Sequence, residues 1–167
     1  TGRRGVPPSI ANERDWRLFM ELVAQADVLL VSDRLLRGLA AGRHTALIDL
    51  EAAGLEDLVQ WRRVRGLLRQ PMLATVSRNL DLPAPDLAQR CALDILAVTP
   101  RDASRRRVKE LERGGVEVAR AGPGPYVTAE ALLTVLAERG LTIVYSLAGP
   151  RMLHTLAAGR QLHRLYL

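Results

Sequence analysis

The turn Ser146-Leu147-Ala148-Gly149-Pro150 has the composition of a site for a small anion. It links an apolar run to a segment of helical spacing. Small residues there let a phosphate or pyrophosphate approach backbone N–H groups at a helix N-terminus, where the helix dipole favours negative charge. The same residues also suit a tight turn that needs small side chains for packing, because the turn is neither a GxGxxG nor a Walker sequence. Three hydroxyls, Ser32, Ser77 and Thr99, close other apolar runs and could bond the amides, riboses or phosphates of a cofactor. Arg34, Arg37 and Arg101 lie at or near the same expected rim, and the planar guanidinium fork matches phosphate. His154 follows Pro150 by one helical turn, so it is expected near the mouth of the same site. Singly, each of these is as readily a cap, a turn residue or a solvated charge; their shared location is what makes a site. No Ser/His/Asp arrangement, paired-carboxylate motif or metal-ligand spacing stands out, so neither a catalytic residue nor a metal is assigned.

These residues need elements to hold them. Trp16, Phe19, Met20 and Val23 recur at helical spacing over 12–25, with Asn12 as cap and Asp15 completing a variant of the capping box. Short apolar runs at 27–31, 72–77, 94–99 and 141–146 read as strands buried on both faces, as parallel sheets require. A shorter strand is expected at 116–118 and the start of another at 163–167. Ser32-Asp33-Arg34 reads as the turn out of the first run, and 81–85 as a loop, since Pro83 and Pro85 cannot sit in a central strand. Helices are expected over 104–113, ended by Gly114-Gly115, over 129–139, capped by Thr128, and from Pro150 through Ala158. Residues 38–70, punctuated by four glycines and holding two helix-like pieces, one near 55–65, read as an excursion from the sheet. Strands alternating with helices of this length imply βαβ units: an α/β fold of three layers, a mostly parallel central sheet with helices on both faces. Ligands of such sheets lie at the carboxyl ends of the strands, where Ser32, Ser77, Thr99 and the 146–150 turn fall.

Composition narrows the partners. At 167 residues, 48% hydrophobic and 25% charged, the chain fits one globular domain over 1–167. The charge of +6 comes almost wholly from arginine, Lys109 being the only lysine, and suits a phosphorylated cofactor as well as a nucleic acid. With aromatics at 4%, little is available to stack single-stranded bases, and Arg105-Arg106-Arg107 reads as a solvated helix face paired with Glu110 and Glu112; no nucleic-acid partner is expected. No run approaches the roughly 18–20 apolar residues of a membrane span, and the basic segment Thr1 to Pro8 lacks the apolar block of a signal peptide. No membrane partner and a cytoplasmic location are therefore expected. The lone Cys91 reads as a plain core or boundary thiol.

Read together, these blocks resemble a known family. Residues 15–22 and 26–31, then Gln70 to Pro83, Leu96-Ala97-Val98-Thr99, 112–118 and Ala148-Gly149-Pro150-Arg151-Met152-Leu153 followed by Leu156-Ala157-Ala158-Gly159, are similar to the reductase domain of the bifunctional riboflavin-biosynthesis deaminase/reductase. The resemblance covers nearly the whole chain apart from 38–70. It implies a dihydrofolate-reductase-like fold, commonly a homodimer, using NADPH to reduce a phosphorylated ribosylamino-pyrimidine such as an aminouracil. Carried over, Ser32, Arg34 and Leu35 occupy the first cofactor loop, Ser77 and Thr99 the next two strand ends, and Ala148, Gly149, Pro150, Arg151 and Met152 the phosphate-binding turn. Three departures stand out. The glycine-and-threonine pattern of the first loop is replaced by Ser32 to Arg37; Leu147 stands where the family has glutamate, with Ala148 for the first glycine; and the family's opening strand and about two closing strands have no counterpart between Thr1 and Leu167. The first two imply a divergent branch with another specificity, the alternatives being a pterin or dihydrofolate-type reductase, or a protein that binds a nucleotide or metabolite without catalysis on the same scaffold; the last implies that the sequence omits pieces of the natural protein.

Overall fold

A computed structural model describes residues 12–43, 49–90 and 93–166; the basic N-terminal segment and Cys91 lie outside them. The helix α1 (Glu13–Gln25) begins as its capping sequence dictates: the Asn12 side chain accepts from the N–H groups of Arg14 and Asp15, and Asp15 accepts from the Asn12 N–H in return. After it come β1 (Val28–Leu30), α2 (Asp33–Ala40), α3 (Glu56–Val64), β2 (Met72–Val76), α4 (Ala84–Arg90) and β3 (Ile95–Thr99). The chain continues through α5 (Arg105–Arg113), β4 (Glu117–Arg120), α6 (Ala129–Ala137), β5 (Val144–Ser146) and α7 (Pro150–Ala158).

All four strand pairings are parallel, in the order β4-β3-β2-β1-β5, so every strand has its carboxyl end on the same side of the molecule. Alternation along each strand then divides the core in two. Leu29, Val31, Leu73, Ile95 and Ala97 face α1 to α5, whereas Val28, Leu30, Ala74, Leu96 and Val98 face α6 and α7. This is the three-layer α/β architecture that the alternating pattern predicts. Among the described residues no helix is long and apolar enough to cross a membrane.

Several boundaries differ from the sequence reading, each for a local reason. Ser32-Asp33-Arg34 is not a turn: the Ser32 hydroxyl caps α2 by accepting from the Leu35 N–H, and the helix runs on through a buried Gly38. Pro85 does not lie in a loop but in the first turn of α4, where its missing N–H breaks no helical bond. The strand expected over 141–146 holds only its last three residues, and it is a half-buried edge strand. Upstream, the Asp27 carboxylate accepts from the N–H groups of Thr142 and Ile143, both at 2.8 Å, and pins that backbone at the entrance to the sheet. Residues 163–166 form no strand, and Leu167 lies outside the described residues.

Part of the excursion at 38–70 is anchored by Arg62 on α3. Its guanidinium, 1% exposed, donates to the carbonyls of Ala24, Ala26 and Leu68, each at 2.7 Å. Burial pushes its pKa down, with the nearby Asp27 charge opposing. One planar cation thus ties the end of α1 to α3, which is how this segment docks without a strand of its own.

Candidate functional site

The carboxyl ends of β1, β2 and β3, the loop before α6, and the exposed flank of α7 enclose a cleft of about 1180 Å³. Of the residues picked out in the sequence, Ser32, Arg34, Ser77, Ala148, Arg151 and Met152 line it, as do Arg37 and His154. Gly149 and Pro150 form the exposed turn after Ala148 and do not line the cleft. Leu35 does not line the cleft: it is half-buried and packs into the core beneath α2. Thr99 does not line it either. Its side chain is fully buried at the end of β3, and its hydroxyl has no hydrogen-bond partner among the described residues. Arg101 lies outside the lining, its carbonyl accepting from Arg120.

Two features distinguish the turn into α7. Gly149 has φ 82° and ψ −173°, a backbone conformation that essentially only glycine adopts. Beyond it α7, like α3, starts without a side-chain cap, whereas Asn12, Ser32, Ser104 and Thr128 cap α1, α2, α5 and α6. The first N–H groups of a helix have no partner within it, so those of Arg151 and Met152, two residues that line the cleft, receive none from α7 itself. At the other end of α7, Gly159 lets the helix approach α6, because a Cβ there would stand 2.8 Å from that of Ala129.

Charge adds to this. Four guanidinium groups line the cleft: Arg34, Arg37, Arg78 and Arg151. Arg37 donates to the Asp81 carbonyl at 3.0 Å, and the Asp81 carboxylate is paired with Arg107 on α5 at 3.2 Å. Among the described residues, neither Arg34 nor Arg151 pairs with a carboxylate. The cleft thus combines two uncommitted cations with an uncapped helix start.

Sequence reasoning missed three participants. Asp33, in the first turn of α2, lines the cleft and accepts from Thr75 Oγ1 at 2.8 Å and from Ser77 Oγ at 2.7 Å. No local signal could reveal this, since the partners stand 42 and 44 residues away. Arg78 lies over the ring of Tyr126, 5.1 Å from its centroid, and both line the cleft. Tyr126 is 71% exposed, which leaves a flat aromatic face open to solvent. It lies in the loop between β4 and α6, six residues past Arg120, so the rule that points to strand ends does not single it out.

Neither a protein-family model nor a curated protein matches the chain. Among solved structures it is similar to a pyrimidine reductase-like protein from Corynebacterium diphtheriae, with a TM-score of 0.59 at 20% identity. The match covers 95% of this chain and 64% of that one. At such identity the likeness is one of fold, and it bears out the three-layer α/β architecture expected from the sequence.

Proposed function

We propose that this chain is a reductase that draws hydride from a nicotinamide dinucleotide, NADPH by the family resemblance, and delivers it to a phosphorylated ribosylamino-pyrimidine. The observation that carries the reading is the uncapped start of α7 behind Gly149, opening onto a cleft with Arg34 and Arg151 unpaired among the described residues. Oriented N–H donors and planar guanidinium groups are what the pyrophosphate of a dinucleotide needs. A volume of about 1180 Å³ leaves room for a second, smaller ligand beside it. The scaffold shared with a pyrimidine reductase-like protein supports the same substrate class.

In this reading the N–H groups of Arg151 and Met152 hold phosphate, with the Arg34 and Arg151 side chains adding charge. The Ser32 hydroxyl is already engaged as the α2 cap, so its role is to fix that helix start at the rim. The reduced nicotinamide supplies the hydride when bound; the protein supplies orientation and electrostatics. A homodimer is part of the same proposal. Titration with NADPH, followed by nicotinamide fluorescence, tests it: saturable enhancement is expected, and no binding at millimolar cofactor would remove the reading.

One observation favours a second reading, a ligand-binding protein without turnover. Leu147, at the position before the turn where the family has glutamate, packs its side chain into the core and offers no polar group. Steady oxidation of NADPH with a pyrimidine, pterin or dihydrofolate substrate would exclude it.

A further inference from the structure

The Asp33 carboxylate sits in the cleft with both oxygens fixed by hydroxyls of the neighbouring strand, Thr75 Oγ1 at 2.8 Å and Ser77 Oγ at 2.7 Å. Those hydroxyls are almost fully buried, at 1% and 3% exposed, while Asp33 is half-buried and reaches the open space. Donor and acceptor bookkeeping then decides what this corner can take. Each hydroxyl has one hydrogen, and it goes to Asp33. An ionised carboxylate accepts at about four lone-pair sites, of which two are filled, so what faces the cleft here is acceptor only. Such a corner attracts O–H or N–H donors and repels phosphate. Arg34 directly follows Asp33 and Arg78 directly follows Ser77 in sequence, and both line the cleft.

We infer that Asp33, oriented by Thr75 and Ser77, is a specificity-determining residue that accepts hydrogen bonds from the vicinal hydroxyls of a phosphorylated ribose. The phosphate of that ligand lies towards the arginines, and a phosphate placed on the sugar hydroxyls themselves is disfavoured. The inference deepens the reading above and rests on it, since both proposed ligands carry a ribose with free vicinal hydroxyls: the nicotinamide ribose of NADPH, whose adenosine ribose is phosphorylated, and the phosphoribosylamino substrate. The chemistry is shared; the source is for experiment to separate.

Two ligand ladders on the full chain do so, read by calorimetry or amide shifts. One compares nicotinamide mononucleotide, the half of NADPH whose ribose keeps both hydroxyls, with its 2′-deoxy and 3′-deoxy forms; the other compares ribose 5-phosphate with 2-deoxyribose 5-phosphate. A hydrogen bond to a charged group predicts that loss of the hydroxyl weakens binding about tenfold or more in at least one ladder. The ladder in which this happens identifies the sugar as that of the cofactor or of the substrate. In Asp33→Asn, whose folding is checked by its melting curve, the gap between the hydroxyl and deoxy ligands shrinks to about threefold or less. Ser77→Ala, which keeps the carboxylate but frees one of its oxygens, narrows it in part. Equal binding of hydroxyl and deoxy ligands by the natural protein overturns the inference, with no variant needed. Should NADPH bind while no ladder shows a gap, the inference alone fails. If NADPH does not bind but ribose 5-phosphate does with an Asp33-dependent gap, the dinucleotide reading fails and the subsite stands. Binding of neither overturns both.

Discussion

Replacing Gly149 by alanine isolates the geometry on which the anion site depends. A Cβ at this position meets no atom within 4 Å, so the substitution creates no clash. What changes is the backbone: φ 82° with ψ −173° lies in a region closed to residues with a Cβ, and holding alanine there costs about 1–3 kcal/mol. That strain has two outlets. If the turn keeps its shape, the folded state is destabilised by this amount, a fall in Tm of roughly 2–12 °C for a chain of this size. If the turn relaxes, stability is partly recovered, but the N–H groups of Arg151 and Met152 are re-aimed, and NADPH binding weakens by about 5- to 150-fold for the same energy. Parallel melting curves and NADPH titrations measure both. Gly54, with φ 85° and an equally open position outside the cleft, supplies the control: Gly54→Ala is expected to lower Tm and leave NADPH affinity unchanged. A Gly149→Ala protein that melts and binds NADPH like the natural one would refute the reasoning.

Other perturbations report on separate parts of the account. Arg34→Ala and Arg151→Ala are each expected to weaken NADPH binding by about tenfold, with a shallower salt dependence in a titration series, and to leave the melting temperature nearly unchanged. Arg62→Met strands the carbonyls of Ala24, Ala26 and Leu68 without their buried donor and should destabilise the protein by about 3–5 kcal/mol in urea unfolding. Acid should loosen the contacts of α1 with α3 and the first turns of α5. The Arg17 side chain lowers the Asp57 pKa, and Arg107, helped by Arg106, lowers that of Glu110. A depressed carboxylate pKa means that the contribution is fully present above the ordinary carboxylate range near pH 4 and fades as pH falls through the lower folded value. Because these groups are exposed, salt should erase most of that difference in pH-dependent melts.

The sequence carries the sheet more plainly than the site. Apolar runs such as Asp94 to Thr99 can be placed because a parallel strand buried on both faces admits little else, and β3 is buried at all five positions. Where the run was read too long, at Leu141 to Ile143, a single carboxylate from Asp27, more than a hundred residues away in the chain, governs the backbone. Helix α2 stays hidden because Ser32-Asp33-Arg34 has the composition of a turn, yet Ser and Asp are equally the residues that start helices. The strand-end rule brings Ser32, Ser77 and Ala148 to one cleft, where Arg151 from the family resemblance joins them, since parallel order makes all carboxyl ends coincide. It fails for Thr99, whose side chain is buried at the end of β3, and the family resemblance fails for Leu35, which packs inwards from helix α2, because position along a chain does not tell which way a residue at the rim points. The Asp33 cluster was out of reach for a different reason: its hydrogen bonds join residues that only the pairing of β1 with β2 brings together.

The most direct test of the account is an amide-resolved NMR titration of the full chain with NADPH. The account predicts the largest shifts at the Arg151 and Met152 N–H groups, with smaller ones at Arg34 and Arg78 and none along α3. Saturable binding with shifts confined to α3, or to the amino ends of the strands, would contradict it.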